Sequence, residues 1–162
     1  MKIELESLGI IKTPFEQLEG MPIQPVGAKG VKGQLILKDE FKDGLKDLEG
    51  FSHIEVLYLL HKVKGHSLEV KPFLDDKTHG VFATRSPKRP NRIGASVIKV
   101  TGVEDNIVHV ENVDMLNGTP ILDIKPFVPH LYDGTVDELK IGWFEDKHQD
   151  ASTKKADDRF IS

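Results

Sequence analysis

The stretch Ile54-Glu-Val-Leu-Tyr-Leu-Leu60 is the most apolar segment of the chain, and it is rich in residues that favour β-structure. It is too short to form an independent helix. A central, buried strand is therefore predicted here, and the rest of the chain has to supply its neighbours.

Several other short runs show the composition or alternation of strands. They are Ile3 to Ile11, Gly33 to Leu37, Ser96 to Val103, Ile107 to Val113 and Thr119 to Lys125. The turn composition of Glu104-Asp105-Asn106 predicts a hairpin between two of these runs. Leu45 and Leu48 have helical spacing between Gly44 and Gly50, which predicts at most a short helix. The pattern predicts a mainly β protein, a single antiparallel β-barrel with short helices.

The end of the chain has a different composition. Val136 to Phe144 can add one apolar edge to the barrel, whereas Glu145 to Asp158 is polar and predicts a solvated helix or tail. The predicted organisation is therefore a barrel domain over residues 1–144 and a polar C-terminal extension over residues 145–162.

Composition excludes several classes of function. The 162 residues carry a net charge of −4 and no cysteine, which excludes disulfides, thiolate metal sites and a cysteine nucleophile. His61 and His66 have no metal-ligand spacing, so no metal site is predicted. No apolar run approaches the roughly 20 residues that cross a bilayer. A cytoplasmic protein without membrane contact is expected.

The segment Gly80-Val-Phe-Ala-Thr-Arg-Ser-Pro-Lys-Arg-Pro-Asn-Arg-Ile-Gly94, here called the basic loop, contrasts with the acidic chain. Its cations are Arg85, Lys88, Arg89 and Arg92. We expect Val81 to Ala83 to end a buried strand that aims Arg85, and the two prolines to restrict the loop. The basic loop is therefore predicted to bind an anion, although its charge alone fits a solvated surface loop at least as well.

Two further groups of residues are candidates for chemistry. Asn117-Gly118-Thr119-Pro120 predicts a turn with exposed main-chain amides, followed by Asp123 and Lys125 on one strand face. A surface turn with an ordinary salt bridge explains that pattern equally well. His61 lies at the end of the central strand, where a general base could emerge, but a structural histidine is the commoner case.

The basic loop, followed by Gly-Thr-Pro-Ile-Leu-Asp-Ile-Lys-Pro-Phe-Val-Pro from Gly118 to Pro129, resembles the TrmO/TsaA/YaeB-like family. Gly9 to Phe15, Pro22 to Pro25 and Gly50 to His53 resemble the same family in the same order. The resemblance implies an S-adenosylmethionine-dependent methyltransferase on a β-barrel. Its expected substrate is the exocyclic amino nitrogen of threonylcarbamoyl-adenosine beside a tRNA anticodon. It also implies a homodimer with cofactor sites near the subunit contact.

The resemblance also implies site residues. The expected cofactor contacts are Pro22, Ile23, Gln24, His61, Lys62, Arg85, Val97, Asn117, Gly118, Thr119 and Pro120. Two positions depart from the family pattern, because many relatives have Asp at the position of Asn117 and Gln at that of Lys62. An asparagine keeps the turn geometry but removes a carboxylate that could accept a hydrogen bond from a ribose hydroxyl.

Roles in catalysis and substrate binding are hypotheses. His61 and Asp123 are the candidates for easing proton loss from the acceptor nitrogen. The expected contacts to the anticodon stem-loop phosphates or the threonyl carboxylate are Lys88, Arg89, Asn91, Arg92 and Lys125. Two alternatives remain open: an S-adenosylmethionine-binding enzyme of the same fold with a small-molecule substrate, and a non-catalytic binding module.

Overall fold

Six strands close into an antiparallel barrel in this computed structural model, which describes residues 1–128 and 139–142. The strands of the described chain are β1 (Gly9–Lys12), β2 (Lys32–Leu37), β3 (His53–Leu59), β4 (Glu69–Val70), β5 (His79–Gly80), β6 (Ile93–Glu104), β7 (Ile107–Glu111) and β8 (Thr119–Pro126). Around the barrel the order is β1, β2, β7, β6, β3 and β8, which pairs again with β1. Strands β4 and β5 form a separate two-stranded sheet.

The helical content consists of short 3₁₀ turns. In the described residues they span Pro25–Ala28, Asp39–Leu45, Leu48–Gly50 and Val81–Ala83. The turns at residues 39–45 and 48–50 occupy the region where a short helix was predicted. The predicted fold class, a mainly β barrel with short helices, is confirmed.

The apolar segment around residue 56 forms strand β3, as predicted. Its side chains alternate, so that Ile54, Val56 and Tyr58 are buried in the barrel core. Strand β6 pairs along one side of β3 and β8 along the other. The predicted buried strand is therefore present, with a partner along each edge, as every strand of a closed barrel has.

The predicted hairpin is also present. Strands β6 and β7 pair in antiparallel register up to Glu104 and Ile107. Asp105 has φ +51° in the turn, a conformation that short polar residues such as aspartate tolerate better than most. The β6 strand is longer than predicted and begins at Ile93, which brings the end of the basic loop directly into the barrel wall.

Two expected strands are not formed as predicted. The N-terminal run is a strand only from Gly9, while Ile3 and Leu5 are 70% and 64% exposed. The alternation was present, but pairing with β2 and β8 ends at Gly9, and in the described part of the chain only Leu8 before it has backbone bonds to those neighbours. Val81–Ala83, expected to end a buried strand, is a 3₁₀ turn with Phe82 75% exposed.

Part of the C-terminal prediction lies outside the described residues. This applies to Glu145 to Asp158, to the proposed boundary after residue 144, and to most of Val136 to Phe144. Within the described residues 139–142, Ile141 forms a bridge with Phe51 next to the barrel. None of the helices in the described part of the chain has the length and apolarity needed to cross a membrane.

Candidate cofactor and substrate site

A cavity of about 640 Å³ lies where the basic loop joins the barrel. Its walls come from the loop before β2, the end of β3, the basic loop, the start of β6 and the β7–β8 connection. The lining residues are Ile23, Gln24, Pro25, Val26, Tyr58, Leu60, Thr84, Arg85, Arg89, Ile93, Gly94, Ala95, Ser96, Val97 and Asp114. This is here called the main cavity. Its volume is within the usual range for small-molecule sites.

Two arginines fix the conformation of the basic loop from within. The Arg89 guanidinium donates to the carbonyl oxygens of Val81 at 3.1 Å and Thr84 at 2.7 Å. Arg92 donates to the carbonyl of Val63 at 2.7 Å. A guanidinium can make several such bonds at once because it carries five N–H donors in a planar fork. The loop is therefore held by its own cations.

Arg85 is held at the wall of the main cavity. Its Nη2 donates to the carbonyl oxygen of Ala95 at 2.8 Å, although the residue is exposed. The expectation that a strand would aim Arg85 is wrong, because the preceding residues form a 3₁₀ turn. Arg85 is anchored instead by the Ala95 carbonyl, near the start of β6. The side chain keeps further donors for a ligand.

A chain of three polar side chains forms another wall of the main cavity. The Tyr58 hydroxyl lies 3.1 Å from Ser96 Oγ, and Ser96 Oγ donates to Asp114 Oδ1 at 2.9 Å. Tyr58 and Ser96 are only 8% and 4% exposed, whereas Asp114 is half-buried. Because the single Ser96 proton goes to the carboxylate, the Tyr58 hydroxyl donates to Ser96.

Burial shapes the ionisation of this chain. Desolvation raises the pKa of Asp114, while the Ser96 hydrogen bond and the Arg85 charge lower it by less. Desolvation and the nearby Asp114 raise the pKa of Tyr58 to about 12. Gly94 makes room for Tyr58, since a Cβ at Gly94 would overlap the tyrosine ring.

A second cavity of about 520 Å³ adjoins the first. Both cavities are lined by Ile23, Gln24, Thr84 and Arg85. The second also has the Lys88 side chain and the β4 strand in its walls. Two lined volumes that share one wall provide space for two ligand groups side by side.

The structure brings together some of the predicted cofactor residues. Ile23, Gln24, Arg85 and Val97 all line the main cavity. The remaining predicted contacts, Pro22, His61, Lys62, Asn117, Gly118, Thr119 and Pro120, are not among its lining residues. Burial, followed by the charge of Lys62, lowers the pKa of His61, so its imidazole is neutral at neutral pH.

The Asn117 turn has a structural role. Asn117 Oδ1 accepts from the backbone N–H of Thr13 at 3.1 Å, and its Nδ2 donates to Glu16 at 2.9 Å. Gly118 has φ +76°, the conformation that the Asn-Gly pair predicted. An aspartate would keep the first bond and lose the second, so the asparagine suits the contacts seen here.

Asp123 and Lys125 lie on one face of β8, as predicted, and form an ion pair at 2.7 Å. Asp123 does not line the main cavity; it borders a separate groove of about 370 Å³ with Phe41 and Leu45. Among the predicted substrate contacts, Asn91 and Lys88 are exposed on the basic loop. Arg89 lines the main cavity, with its guanidinium 5.9 Å from the Phe82 ring centre.

Sequence reasoning missed the polar chain of Tyr58, Ser96 and Asp114. One signal was available, because Ser96 occupies the same alternating series as Ile98 in an apolar strand. A hydroxyl at an inward position requires a buried hydrogen-bond partner. Turn composition predicts the β6–β7 hairpin but not its register, and it is the pairing of Lys99 with Glu111 that brings Ser96 and Asp114, three residues further along the two arms, together.

Comparison with known proteins assigns the chain to a family. The family model of the tRNA-methyltransferase O N-terminal domain matches residues 10–133. The chain belongs to the TrmO family. A crystal structure of TrmO from Pseudomonas aeruginosa resembles this TrmO-family chain with a TM-score of 0.69 and 35% identity, covering 85% of this chain and 60% of that one. The family predicted from the sequence motifs is confirmed.

Relatives of this TrmO-family chain have related names. A probable S-adenosyl-L-methionine-binding protein from Pyrococcus abyssi is 43% identical over 96% of this chain and 83% of the relative. The human tRNA (adenine(37)-N6)-methyltransferase is 37% identical over 76% of this chain and 30% of the human protein. The chain therefore matches most of the length of the first relative and less than a third of the length of the second. The predicted methyltransferase class and S-adenosylmethionine as cofactor are confirmed at the level of the family.

Proposed function

We propose that the protein transfers the methyl group of S-adenosylmethionine to tRNA, at the exocyclic amino nitrogen of threonylcarbamoyl-adenosine beside the anticodon. The observation that supports this most directly is the main cavity. It combines Ile23, Gln24, Arg85 and Val97, predicted from the family motifs, with the foot of the basic loop. The human relative's name gives the same position and atom on tRNA.

The residues of the main cavity fit the proposed cofactor. Ile23, Val26 and Ile93 offer apolar surface to a purine ring, and the cavity has room for a ligand of nucleoside size. Arg85 can donate to a carboxylate of the cofactor. When bound, the cofactor supplies an electrophilic methyl group. The fixed loop then keeps the orientation of both partners and limits access of water.

The second cavity is the proposed position of the tRNA groups around the acceptor base, and the acceptor nitrogen would enter the main cavity across the wall that the two cavities share. Lys88 and the exposed Asn91 side chain are available to the anionic stem-loop, and phosphate contacts of this kind position a nucleic acid. Arg89 and Arg92 already bond main-chain carbonyls. Their contribution is a fixed positive field near the site, with any remaining donors directed to phosphate.

A homodimer is part of the proposal. Ile23, Phe73 and Leu74 line the second cavity and are 54%, 87% and 79% exposed. Large apolar side chains grouped on one surface are typical of a contact with another protein. A second copy of the chain would cover them and close the cavity. The cytoplasm, where tRNA is modified, is the proposed location.

The test is incubation of the full chain with labelled S-adenosylmethionine and tRNA that carries or lacks the threonylcarbamoyl group. Label is expected only in the modified tRNA, at the exocyclic nitrogen. Arg85→Ala is expected to lower transfer at least about 100-fold because a positioned charge at the cavity is lost. Lys99→Ala removes an exposed cation outside the cavity and provides the matched control. Equal labelling of both tRNAs would contradict the proposed acceptor.

A second candidate function is suggested by the relatives named only as S-adenosyl-L-methionine-binding proteins. In that case the cavity would hold the cofactor for a small-molecule acceptor or for binding alone. Calorimetric binding of S-adenosylmethionine without transfer to any tRNA would support it. Equal activity on the free modified nucleoside and on intact tRNA would favour a small-molecule acceptor.

A further inference from the structure

We propose that Asp114 is the general base of the methyl transfer and that Ser96 and Tyr58 position and tune its carboxylate. The inference rests on the proposed function and extends it to a residue that the sequence motifs did not indicate. Asp114 takes the role for which His61 and Asp123 were the candidates, because of where those two residues lie in the fold. Neither of those residues lines the main cavity.

The titratable side chains of the main cavity leave one candidate. They are Tyr58, Arg85, Arg89 and Asp114. A guanidinium stays protonated at any physiological pH, so neither arginine can accept a proton. Tyr58 has its pKa raised to about 12 and is protonated as well. The Asp114 carboxylate is the remaining group in the cavity wall that can take a proton at neutral pH.

The geometry suits this role. Ser96 Oγ donates a hydrogen bond to Asp114 Oδ1 at 2.9 Å, and the Tyr58 hydroxyl in turn lies 3.1 Å from Ser96 Oγ. Both supporting side chains are buried, so the carboxylate is oriented by rigid neighbours on β3 and β6. A carboxylate has two oxygens with about four lone-pair sites, which leaves acceptor capacity for an N–H in the cavity.

The electrostatics also suit this role. Burial moves the pKa of Asp114 upward from that of an ordinary aspartate, toward the working pH. The groups that face the carboxylate are the Tyr58 and Ser96 hydroxyls and the Arg85 guanidinium. Arg89 lines the same cavity. These donors oppose the rise without cancelling it, so the Asp114 carboxylate is a stronger base than that of a solvated aspartate.

The step balances as a proton transfer coupled to substitution. The acceptor N–H proton passes to a carboxylate oxygen of Asp114, and the nitrogen lone pair forms the new N–C bond. The S–C bond of the sulfonium donor breaks, and its electron pair stays on sulfur as a neutral thioether. The Asp114 proton then leaves to solvent. The positive charge of the sulfonium is thereby accounted for by the released proton, and no oxidant or reductant is needed.

The central variant is Asp114→Asn, because an amide oxygen can still accept from Ser96 while the proton acceptor is lost. The single-turnover rate at saturating S-adenosylmethionine and modified tRNA is expected to fall about 100-fold or more. Binding of S-adenosylmethionine, measured by calorimetry, should change less than threefold. Asp105→Asn, at the exposed turn of the β6–β7 hairpin, is the matched control and should leave both quantities unchanged.

The pH profile separates a base from a structural residue. In the wild type the single-turnover rate should rise with pH through the Asp114 pKa and then level off, since only the carboxylate form accepts a proton. The pH–rate profile of Asp114→Asn should lack this rising limb. Ser96→Ala removes a donor that stabilises the carboxylate, so the limb should move to higher pH. Carboxyl carbon NMR of the cofactor-free protein should show the same displacement.

Each outcome distinguishes the two proposals. Absence of transfer by the wild type to modified tRNA would overturn the proposed function and the base with it. Normal turnover by Asp114→Asn in a transferring enzyme would overturn only the base. Loss of cofactor affinity with an unchanged saturated rate would make Asp114 a cofactor ligand instead. If Asp114→Asn does not fold, an unmoved limb in Ser96→Ala would overturn the base.

Discussion

Asp114 illustrates how one residue can serve a site at the expense of stability. Its carboxylate is half-buried beside β6 and loses much of its hydration on folding. Such desolvation disfavours the charged form unless hydrogen bonds replace the lost water. Ser96 supplies one such bond, and Arg85 contributes a favourable charge, yet the net direction of the pKa is upward. The ionised carboxylate is therefore a source of instability in the folded chain.

The sign of the pH effect follows from that direction. A carboxyl whose pKa is higher in the folded than in the unfolded state contributes stability below the unfolded pKa, and this contribution is lost as pH rises through the folded pKa. Asp114→Asn is always neutral, so it should be more stable than the wild type at pH 8 and gain little at pH 4. Thermal unfolding of both proteins at the two pH values measures the difference. A gain that is the same at both would contradict the prediction.

At the scale of elements, the basic loop is ordered by its own cations. Arg92 donates to Val63, while the backbone N–H of Leu60 donates to the Arg92 carbonyl at 2.8 Å. The backbone N–H of Ser67 also reaches the Lys88 carbonyl at 3.1 Å. The basic loop and the segment after β3 therefore form one connected unit. A loop tied in this way presents its remaining groups in a fixed arrangement.

We expect Arg92→Ala to loosen this unit without unfolding the barrel. Loss of a charge-assisted hydrogen bond of about 1.5–3 kcal/mol should accelerate amide exchange over residues 60–67 by roughly 10- to 100-fold. Hydrogen exchange resolved by residue measures the effect. Lys88→Ala removes a cation from the same loop at an exposed position and is the control. Equal acceleration in both variants would show that net charge, and not the bond to Val63, orders the segment.

The strands show how far local pattern carries a prediction. The apolar run of β3 and the β6–β7 hairpin were predictable because alternation and turn composition are local properties. The N-terminal alternation gave a wrong prediction before Gly9, since a strand also needs a partner and strands β2 and β8 pair with β1 only from that residue. Val81 to Ala83 misled for a related reason. Three apolar residues fit a strand or a turn, and here Val81 alone is buried.

The candidate site was predictable only where a motif marked it. Gln24 and Arg85 belong to recognised motifs and line one cavity. Ser96 and Asp114 meet because the β6–β7 hairpin pairs Lys99 with Glu111, and turn composition predicts the hairpin but neither that register nor the irregularity after Val100. The cationic motif was also ambiguous, because sequence cannot show that Arg89 and Arg92 bond main-chain carbonyls. Position in the fold decides which cations remain available.

At the scale of the whole molecule, charge and apolar surface meet at one end of the barrel. The chain has a net charge of −4, whereas the basic loop concentrates cations beside two adjoining cavities. An acidic body repels nucleic acid in general, so association through the loop favours a single orientation. The exposed apolar side chains of the second cavity lie beside the same loop. A partner that covers them would leave the cations at the edge of the contact.

The proposed homodimer provides the test at this scale. The double substitution Phe73→Asp with Leu74→Asp places two charges on a surface that a second copy would bury, so a stable contact of about 1,000 Å² or more could not form. Light scattering after size exclusion should give twice the chain mass for the wild type and a single chain mass for the double variant. Ile3→Asp changes another exposed apolar residue, 70% exposed and remote in sequence, and should remain dimeric. Methyl transfer should fall with dimer content across a dilution series of the wild type. A monomeric wild type at all concentrations, or a dimeric double variant, would contradict the assignment of this surface.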